Sequence, residues 1–170
     1  EEGVRSYVLL PLNARGRTQA MHCGEILREL FARDGRNVAE LDFVSSPLGR
    51  ACTTMELARA PLGLPADGYR IEPQLAEIAF GEWEGFTIAQ LHSRDPQRIA
   101  AREQDKWHFV PPGGESYQTV SLRMREWYEG LARDTVAVAH GGTARGLIAY
   151  LGIAKPAAAP LLDIAQGVVY

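Results

Sequence analysis

The stretch Thr135–Gly142 reads TVAVAHGG and decides the fold class. Residues 135–139 form a nearly pure apolar run, which is typical of a strand that is buried on both faces of a parallel sheet. His140 follows the strand directly, and Gly141 and Gly142 lead into a predicted helix over residues 143–151. A buried strand that passes straight into a helix predicts an α/β fold.

The same alternation extends along the rest of the chain. Strands are predicted over 7–10, 41–45, 69–75 and 135–139, with a last strand in GVVY at 167–170. Helices are predicted over 14–33, from Ser46-Pro47 (as N-cap and first helical residue) to about residue 60, from Phe86-Thr87 to about residue 92, and over about 116–132. Residues 93–115 are predicted to form an excursion with one short helix. The pattern predicts a single domain over 1–170, a three-layer α/β/α sandwich with a mostly parallel sheet.

Composition excludes several functional classes. The 170 residues carry a net charge of −3 with acidic and basic residues mixed, so neither a nucleic-acid surface nor an electrostatic membrane anchor is predicted. No apolar run approaches the length of a membrane span, and Glu1-Glu2-Gly3 does not read as a signal peptide. Cys23 and Cys52 lack metal-ligand spacing and are typical of reduced thiols, which predicts a cytoplasmic protein.

Three polar residues follow the predicted strands, where α/β sheets bind their ligands. His140, with Gly141-Gly142 at a helix N-terminus, suits a phosphate as well as it suits a strand-capping histidine and a tight turn. Arg50 near a helix N-terminus opposes the helix dipole unless it binds an anion, although an exposed arginine alone explains it better. Glu77 is a candidate acid in the segment after the third strand, where Glu82 and Glu84 compete with it.

Motifs of other chemistries are missing from the sequence. It has no G-x-S-x-G of a serine hydrolase and no G-x-G-x-x-G of a dinucleotide-binding fold. GGTARG has P-loop glycine spacing without the following lysine. His22, His92 and His108 lack ligand spacing, so no metal site and no cofactor are predicted.

Five blocks in order resemble the histidine phosphatase superfamily, the phosphoglycerate mutase-like proteins. They are PLNARGRTQA (11–20), FVSSPLGRACTTMEL (43–57), LAEIAFGEWEG (75–85), PGGES (112–116) and VAVAHGGTARGLIAYLGI (136–153). The resemblance implies that Arg50 and His140 bind the phosphoryl group, with Gly141 beside them, and that Glu77 donates and accepts the proton. It places Gly114, Glu115 and Ser116 near the substrate. It also implies a nucleophilic histidine in an Arg-His-Gly segment after the first strand.

The sequence departs from the family pattern at that segment. Leu10 is followed directly by Pro11, and no Arg-His-Gly occurs. One interpretation is a phosphohistidine phosphatase of a small phosphorylated metabolite, with its nucleophile in a loop outside these residues. The alternatives are a phosphoglycerate mutase-type enzyme and, if the loop is truly deleted, a catalytically inactive protein that binds inorganic phosphate or a phosphorylated ligand. The compact length favours the phosphatase over the mutase. A homodimer through a sheet edge is a further expectation.

Overall fold

The computed structural model describes residues 11–170 and the backbone of residues 3–4. The strand predicted over residues 7–10, and Leu10 at the Leu10–Pro11 junction, lie outside these described residues. The described chain divides into two compact units. One contains residues 3–4, 77–129 and 141–163, and the other contains residues 11–76, 130–140 and 164–170. The prediction of a single domain over 1–170 stays a prediction.

Strands and helices alternate through most of the described chain. The strands are β1 (Gly3–Val4), β2 (Asp42–Ser45), β3 (Arg70–Ile71), β4 (Phe86–Thr87) and β5 (Thr135–Val138). The helices are α1 (Ala14–Arg33), α2 (Gly49–Arg59), α3 (Ile88–Arg94), α4 (Pro96–Gln104), α5 (Tyr117–Glu129) and α6 (Gly141–Tyr150). Short 3₁₀ turns lie at Val38–Glu40, Ala60–Leu62, Pro73–Leu75, Gly81–Trp83 and Ala159–Leu161.

A parallel sheet forms the centre of the unit that begins at residue 11. Its strand order is β3-β2-β5, and β2 is parallel to both neighbours. The register aligns Phe43 with Val136 and Ser45 with Val138, so the carboxyl ends of β2 and β5 are level. Phe43, Val44 and Ser45 are buried, as expected for the middle strand. The predicted α/β class with a parallel sheet is confirmed.

Helices α1 and α2 pack closely against each other in the same unit. The Asn13 side chain caps α1 by accepting a hydrogen bond from the Gly16 N–H at 2.8 Å. The prediction of a helix over 14–33 is confirmed. A Cβ atom at Gly24 would lie 2.2 Å from the Ala58 carbonyl oxygen. The two helix backbones can approach this closely only because residue 24 has no side chain.

The other unit contains a buried apolar cluster and a closely packed pair of helices. Strands β1 and β4 form an antiparallel pair. The apolar cluster consists of Trp83, Leu91 and Ile99. Trp83 stacks on Phe109 with ring centroids 5.3 Å apart. Helix α5 packs on α6 at Gly146, where a Cβ would lie 2.9 Å from a Val120 methyl group. Helices α5 and α6 correspond to the helices predicted over 116–132 and 143–151, and their bounds differ from the predicted ones by one to three residues.

Several predicted strand and helix boundaries are wrong. The third strand covers only Arg70–Ile71, because Glu72 caps a 3₁₀ turn that begins at Pro73. Phe86-Thr87 is a strand, and α3 begins at Ile88 with Thr87 as its N-cap in a capping box. Residues 167–170 form no strand in the described structure, where Gly167 has a φ of 75°.

Two predictions about burial and capping are also corrected. The pattern at 135–139 predicts burial on both faces, but Ala137 is exposed and Thr135, Val136 and Val138 are only half-buried. Strand β5 lies at the edge of the three-stranded sheet, so within the described residues it has one strand neighbour. Helix α2 begins at Gly49 rather than at Pro47, since Leu48 keeps an extended backbone with ψ of 131°.

Two further findings concern the helices and the cysteines. Every helix in residues 11–170 is too short or too polar to cross a lipid bilayer. Cys23 and Cys52 are both free thiols, and both are half-buried.

Candidate active site

The carboxyl ends of β2 and β5 bring Ser46 and His140 together. The ladder between the strands continues past their ends, because the Ser46 N–H donates to the Val138 carbonyl at 2.9 Å. Ser46 is completely buried, and His140, two residues beyond β5, is half-buried. The level register of the two parallel strands therefore fixes the distance between these side chains.

The His140 ring is held at both nitrogens. Its Nε2 lies 2.6 Å from the Ser46 hydroxyl oxygen, and its Nδ1 lies 3.2 Å from Nη2 of Arg50. A guanidinium can only donate, so Nδ1 must accept this hydrogen bond. The proton of the imidazole is then on Nε2, which donates to Ser46. The contact with Arg50 thus fits the tautomer that carries its proton on Nε2.

Arg50 is the second residue of α2, the helix that follows strand β2. Its carbonyl accepts a hydrogen bond from the Thr54 hydroxyl at 2.8 Å, and its side chain is half-buried. A cation at this end of a helix is opposed by the helix dipole. The guanidinium and the N-terminus of α2 are both positive, so an anion bound between them would interact favourably with each.

Glu77 caps the N-terminus of α6 in the other unit. Its Oε1 accepts hydrogen bonds from the N–H groups of Ile78 and Gly142, both at 2.9 Å. A carboxylate at this position is favoured by the α6 dipole. A Cβ at Gly142 would lie 2.3 Å from this Oε1 and 2.6 Å from a methyl group of Ile78. Residue 142 must therefore be glycine for the Glu77 carboxylate to reach the helix.

The sequence left open whether the residues that open α6 bind an anion or only form a tight turn. In the structure the Gly142 N–H donates to the Glu77 carboxylate. The predicted role of Gly141 beside the substrate stays a prediction. The helix N-terminus orients a catalytic candidate, and Glu82 and Glu84 do not take this position.

Residues 114–116 contact other protein groups. Glu115 forms a two-pronged ion pair with Arg123, at 3.0 and 3.1 Å, and also accepts from the Ala79 N–H at 3.0 Å. The buried Ser116 hydroxyl accepts from the Thr119 N–H at 3.1 Å, which is capping geometry for α5. A Cβ at Gly114 would lie 2.5 Å from the Ala79 carbonyl oxygen. Their predicted role near the substrate stays a prediction.

Sequence reasoning missed the contribution of Ser46. It assigned the residue to a helix cap, whereas the Ser46 hydroxyl bonds His140 and accepts from the Leu48 N–H at 3.3 Å. The signal that identifies it is its place directly after a buried strand, next to the parallel strand that ends at His140.

The remaining histidines lie on the surface. His22, His92 and His108 are exposed and lie 3.3, 3.8 and 2.8 Å from Glu25, Glu103 and Asp105. Among residues 11–170, no group of three or more His, Cys, Asp or Glu side chains is arranged to hold a metal ion.

The comparison with family models gives a match to the histidine phosphatase superfamily (branch 1) over residues 8–170. The chain belongs to this superfamily. A solved structure of the alpha-ribazole phosphatase from Shigella flexneri has a TM-score of 0.77 and 28% sequence identity, over 97% of this chain and 79% of that chain. The mycobacterial glucosyl-3-phosphoglycerate phosphatase in complex with inorganic phosphate has a TM-score of 0.74 and 30% identity, over 95% and 79%. These structures confirm the predicted phosphoglycerate mutase-like fold.

One relative found by sequence comparison is much longer than this chain. A bifunctional protein of Mycobacterium tuberculosis is 35% identical over 127 residues, which is 75% of this chain and 32% of that protein. The chain thus spans about a third of the length of this relative.

Proposed function

We propose that the protein is a phosphatase that hydrolyses a small phosphorylated metabolite through a phosphohistidine. The observation that carries the proposal is the Ser46–His140–Arg50 cluster at the ends of two parallel strands. It supplies an imidazole and a guanidinium at the position where α/β sheets bind ligands. Phosphoryl transfer needs positive charge around the equatorial phosphate oxygens, which the Arg50 guanidinium supplies.

The proposed reaction has two displacements. A nitrogen of the histidine in an Arg-His-Gly segment attacks phosphorus, and the ester oxygen leaves with a proton from Glu77. Water then gives a proton to Glu77 and attacks the same phosphorus, which breaks the P–N bond and releases inorganic phosphate. Arg50 and His140 bind the phosphoryl oxygens in both steps. The 170-residue sequence holds no Arg-His-Gly, so we assign the nucleophile to a segment between Leu10 and Pro11 outside these residues.

The names of two similar solved structures favour hydrolysis over transfer of the phosphoryl group to a second position of the substrate. The two similar solved structures are named as phosphatases, one of them in complex with inorganic phosphate. A small phosphate ester is therefore the proposed substrate, and water the proposed acceptor.

The test compares the 170-residue chain with the same chain carrying an Arg-His-Gly loop between Leu10 and Pro11. We expect both to bind inorganic phosphate in calorimetry, and only the loop-bearing chain to hydrolyse p-nitrophenyl phosphate and to form an acid-labile phosphohistidine. His140→Ala in the loop-bearing chain is expected to abolish turnover without unfolding, while His108→Ala, at an exposed position, leaves turnover unchanged.

Three results would change the conclusion. If the loop-bearing chain binds phosphate but forms no phosphohistidine, the protein binds phosphate without catalysing its transfer. Phosphorus NMR that finds an isomerised ester instead of free phosphate would indicate a mutase. Turnover that survives His140→Ala would remove this residue from the site.

A further inference from the structure

The segment 77–80, which begins with the proposed proton donor Glu77, has no helical or strand conformation. Three successive N–H groups in it donate to carboxylates. The acceptors are Glu77 for the Ile78 N–H at 2.9 Å, Glu115 for the Ala79 N–H at 3.0 Å, and Glu84 for the Phe80 N–H at 3.3 Å. Because buried or half-buried backbone N–H groups need partners, these side chains determine the conformation of the segment.

Glu115 binds the segment through its backbone as well as its side chain. Its N–H donates to the Ala79 carbonyl at 2.8 Å, and its Oε2 accepts from the Ala79 N–H. Both polar groups of the Ala79 backbone are thus bound by one residue. A Cβ at Gly114 would lie 2.5 Å from the same carbonyl oxygen, so the two segments lie backbone to backbone.

The Glu115 carboxylate is in turn held by Arg123 on α5. Nε of Arg123 lies 3.0 Å from Oε1, and its Nη2 lies 3.1 Å from Oε2, the oxygen that also accepts from Ala79. The Arg123 and Glu115 side chains are only 17% and 24% exposed. A two-pronged pair has a specific geometry, and partial burial reduces its screening by salt. Arg123 therefore fixes the oxygen that binds Ala79.

The Ala79 backbone is connected to the Glu77 carboxylate through Ile78. Ile78 is 6% exposed, and its methyl group lies so close to Gly142 that an added Cβ there would be 2.6 Å away. The Glu77 carboxylate accepts from the N–H groups of Ile78 and Gly142. A shift of Ala79 would move the Ile78 peptide, and the Glu77 carboxylate would move with it.

We propose that Glu115, oriented by Arg123, is a positioning residue for Glu77. The inference rests on the proposed function, in which Glu77 protonates the departing ester oxygen. Glu115 then acts on the reaction through Glu77 and does not touch the substrate. Misplacement of a reacting group by about 1 Å can cost on the order of 10²-fold in rate. Loss of the Glu115 carboxylate should therefore slow proton donation without weakening phosphate binding.

The first experiment uses Glu115→Gln in the loop-bearing chain. Glutamine keeps the shape of the side chain but removes the charge that pairs with Arg123. We expect kcat for glycerol 3-phosphate, which has a poor leaving group, to fall by about tenfold or more, and kcat for p-nitrophenyl phosphate to fall by less than about twofold. KM and the calorimetric affinity for inorganic phosphate should be unchanged.

A double-mutant cycle separates positioning from a general effect on the fold. In the Glu77→Gln background the acid is already missing, so Glu115→Gln should cause no further loss of glycerol 3-phosphate hydrolysis. Arg123→Lys keeps the positive charge without the two-pronged geometry, and it should show the same preference for the poor leaving group with a smaller loss. Glu126→Gln is the matched control, because Glu126 is an exposed carboxylate on α5. It should change neither rate.

The outcomes distinguish this inference from the proposed function. Equal losses with both esters, or a further loss in the Glu77→Gln background, would overturn the positioning role and leave the phosphatase proposal intact. Weaker phosphate binding in Glu115→Gln, at an unchanged melting temperature, would also overturn it, because Glu115 would then contact the substrate. If Glu115→Gln does not fold, equal losses with both esters in Arg123→Lys have the same meaning. A loop-bearing chain without these substitutions that hydrolyses neither ester would overturn both proposals.

Discussion

Arg50 and His140 are 90 residues apart in the sequence, and the Arg50 guanidinium donates to Nδ1 of His140 at 3.2 Å. This hydrogen bond leaves the imidazole proton on Nε2, which lies 2.6 Å from the Ser46 hydroxyl oxygen. Ser46 therefore fixes the ring orientation from one side, and Arg50 fixes the tautomer from the other.

Ser46→Ala is expected to weaken the binding of inorganic phosphate without unfolding the protein. The lost hydrogen bond to His140 corresponds to about 1 kcal/mol, or about fivefold in affinity. Calorimetry checks the affinity. Ser45→Ala is the matched control, since Ser45 is equally buried but its hydroxyl bonds the Ser46 carbonyl. Equal phosphate affinities in the two variants would show that Ser46 does not position His140.

Glu77→Gln is expected to slow the loop-bearing enzyme in a way that depends on the leaving group. General acid catalysis contributes on the order of 10²–10⁴-fold, and it matters most when the departing oxygen is a poor leaving group. Hydrolysis of glycerol 3-phosphate should therefore fall much more than hydrolysis of p-nitrophenyl phosphate. Glu82→Gln, at an exposed position in the same segment, should change neither rate. An equal loss with both substrates would contradict the role of Glu77 as the acid.

Gly142→Ala is expected to displace the Glu77 carboxylate. The new Cβ would overlap Oε1 of Glu77 and a methyl group of Ile78, and overpacking of this kind costs about 1–3 kcal/mol in unfolding free energy. Turnover by the loop-bearing chain should fall together with stability. Gly49→Ala, where no atom lies within 4 Å of the added Cβ, should keep turnover and change unfolding free energy by less than about 1 kcal/mol. Urea unfolding and steady-state kinetics check both variants.

Arg59→Ala is expected to destabilise the unit that contains the parallel sheet. Arg59 is 3% exposed, its Nε donates to the Pro65 carbonyl at 2.7 Å, and its guanidinium lies 4.7 Å from the centre of the Phe43 ring. Loss of the hydrogen bond made by a charged donor costs about 2 kcal/mol. Urea unfolding should show this loss for Arg59→Ala and almost none for Arg70→Ala, because Arg70 is exposed.

Tyr69 is expected to make stability depend on alkaline pH. Burial raises its pKa, with further contributions from hydrogen bonds to Cys52 and Glu56. The folded protein thus favours the neutral phenol. Its contribution is complete below the unfolded pKa of about 10 and is lost as pH rises towards the higher folded pKa.

Tyr69→Phe tests this expectation. Unfolding free energies at about pH 8 and about pH 11 should differ less in the variant than in the wild type. An identical difference in both proteins would mean that Tyr69 does not contribute to the alkaline loss of stability.

Helices with a clear apolar periodicity, and polar residues that directly follow a strand, could be predicted from the sequence. The helix over 14–33 has a clear apolar face and an asparagine cap, and its bounds are as predicted. The positions of His140 and Arg50 after neighbouring strands were readable because parallel strands end at one edge of the sheet.

The errors arose where side chains from distant residues decide the local structure. Serine is a common residue type at helix caps, but the Ser46 hydroxyl forms a hydrogen bond with His140, 94 residues away. The strand predicted over 69–75 ends at Ile71, because Glu72 caps the next 3₁₀ turn. The Gly142 N–H donates to the carboxylate of Glu77, 65 residues earlier in the chain. A single sequence contains no record of such contacts.

The division of the chain into two interleaved units limits how this protein can be recombined. Within residues 11–170, the chain changes unit at 76–77, 129–130, 140–141 and 163–164. Neither unit corresponds to one continuous stretch of a gene. An exchange of one unit with a homologue would need a joint at each of these positions, and one of them separates His140 from Gly141. Single-crossover chimaeras would therefore mix both units.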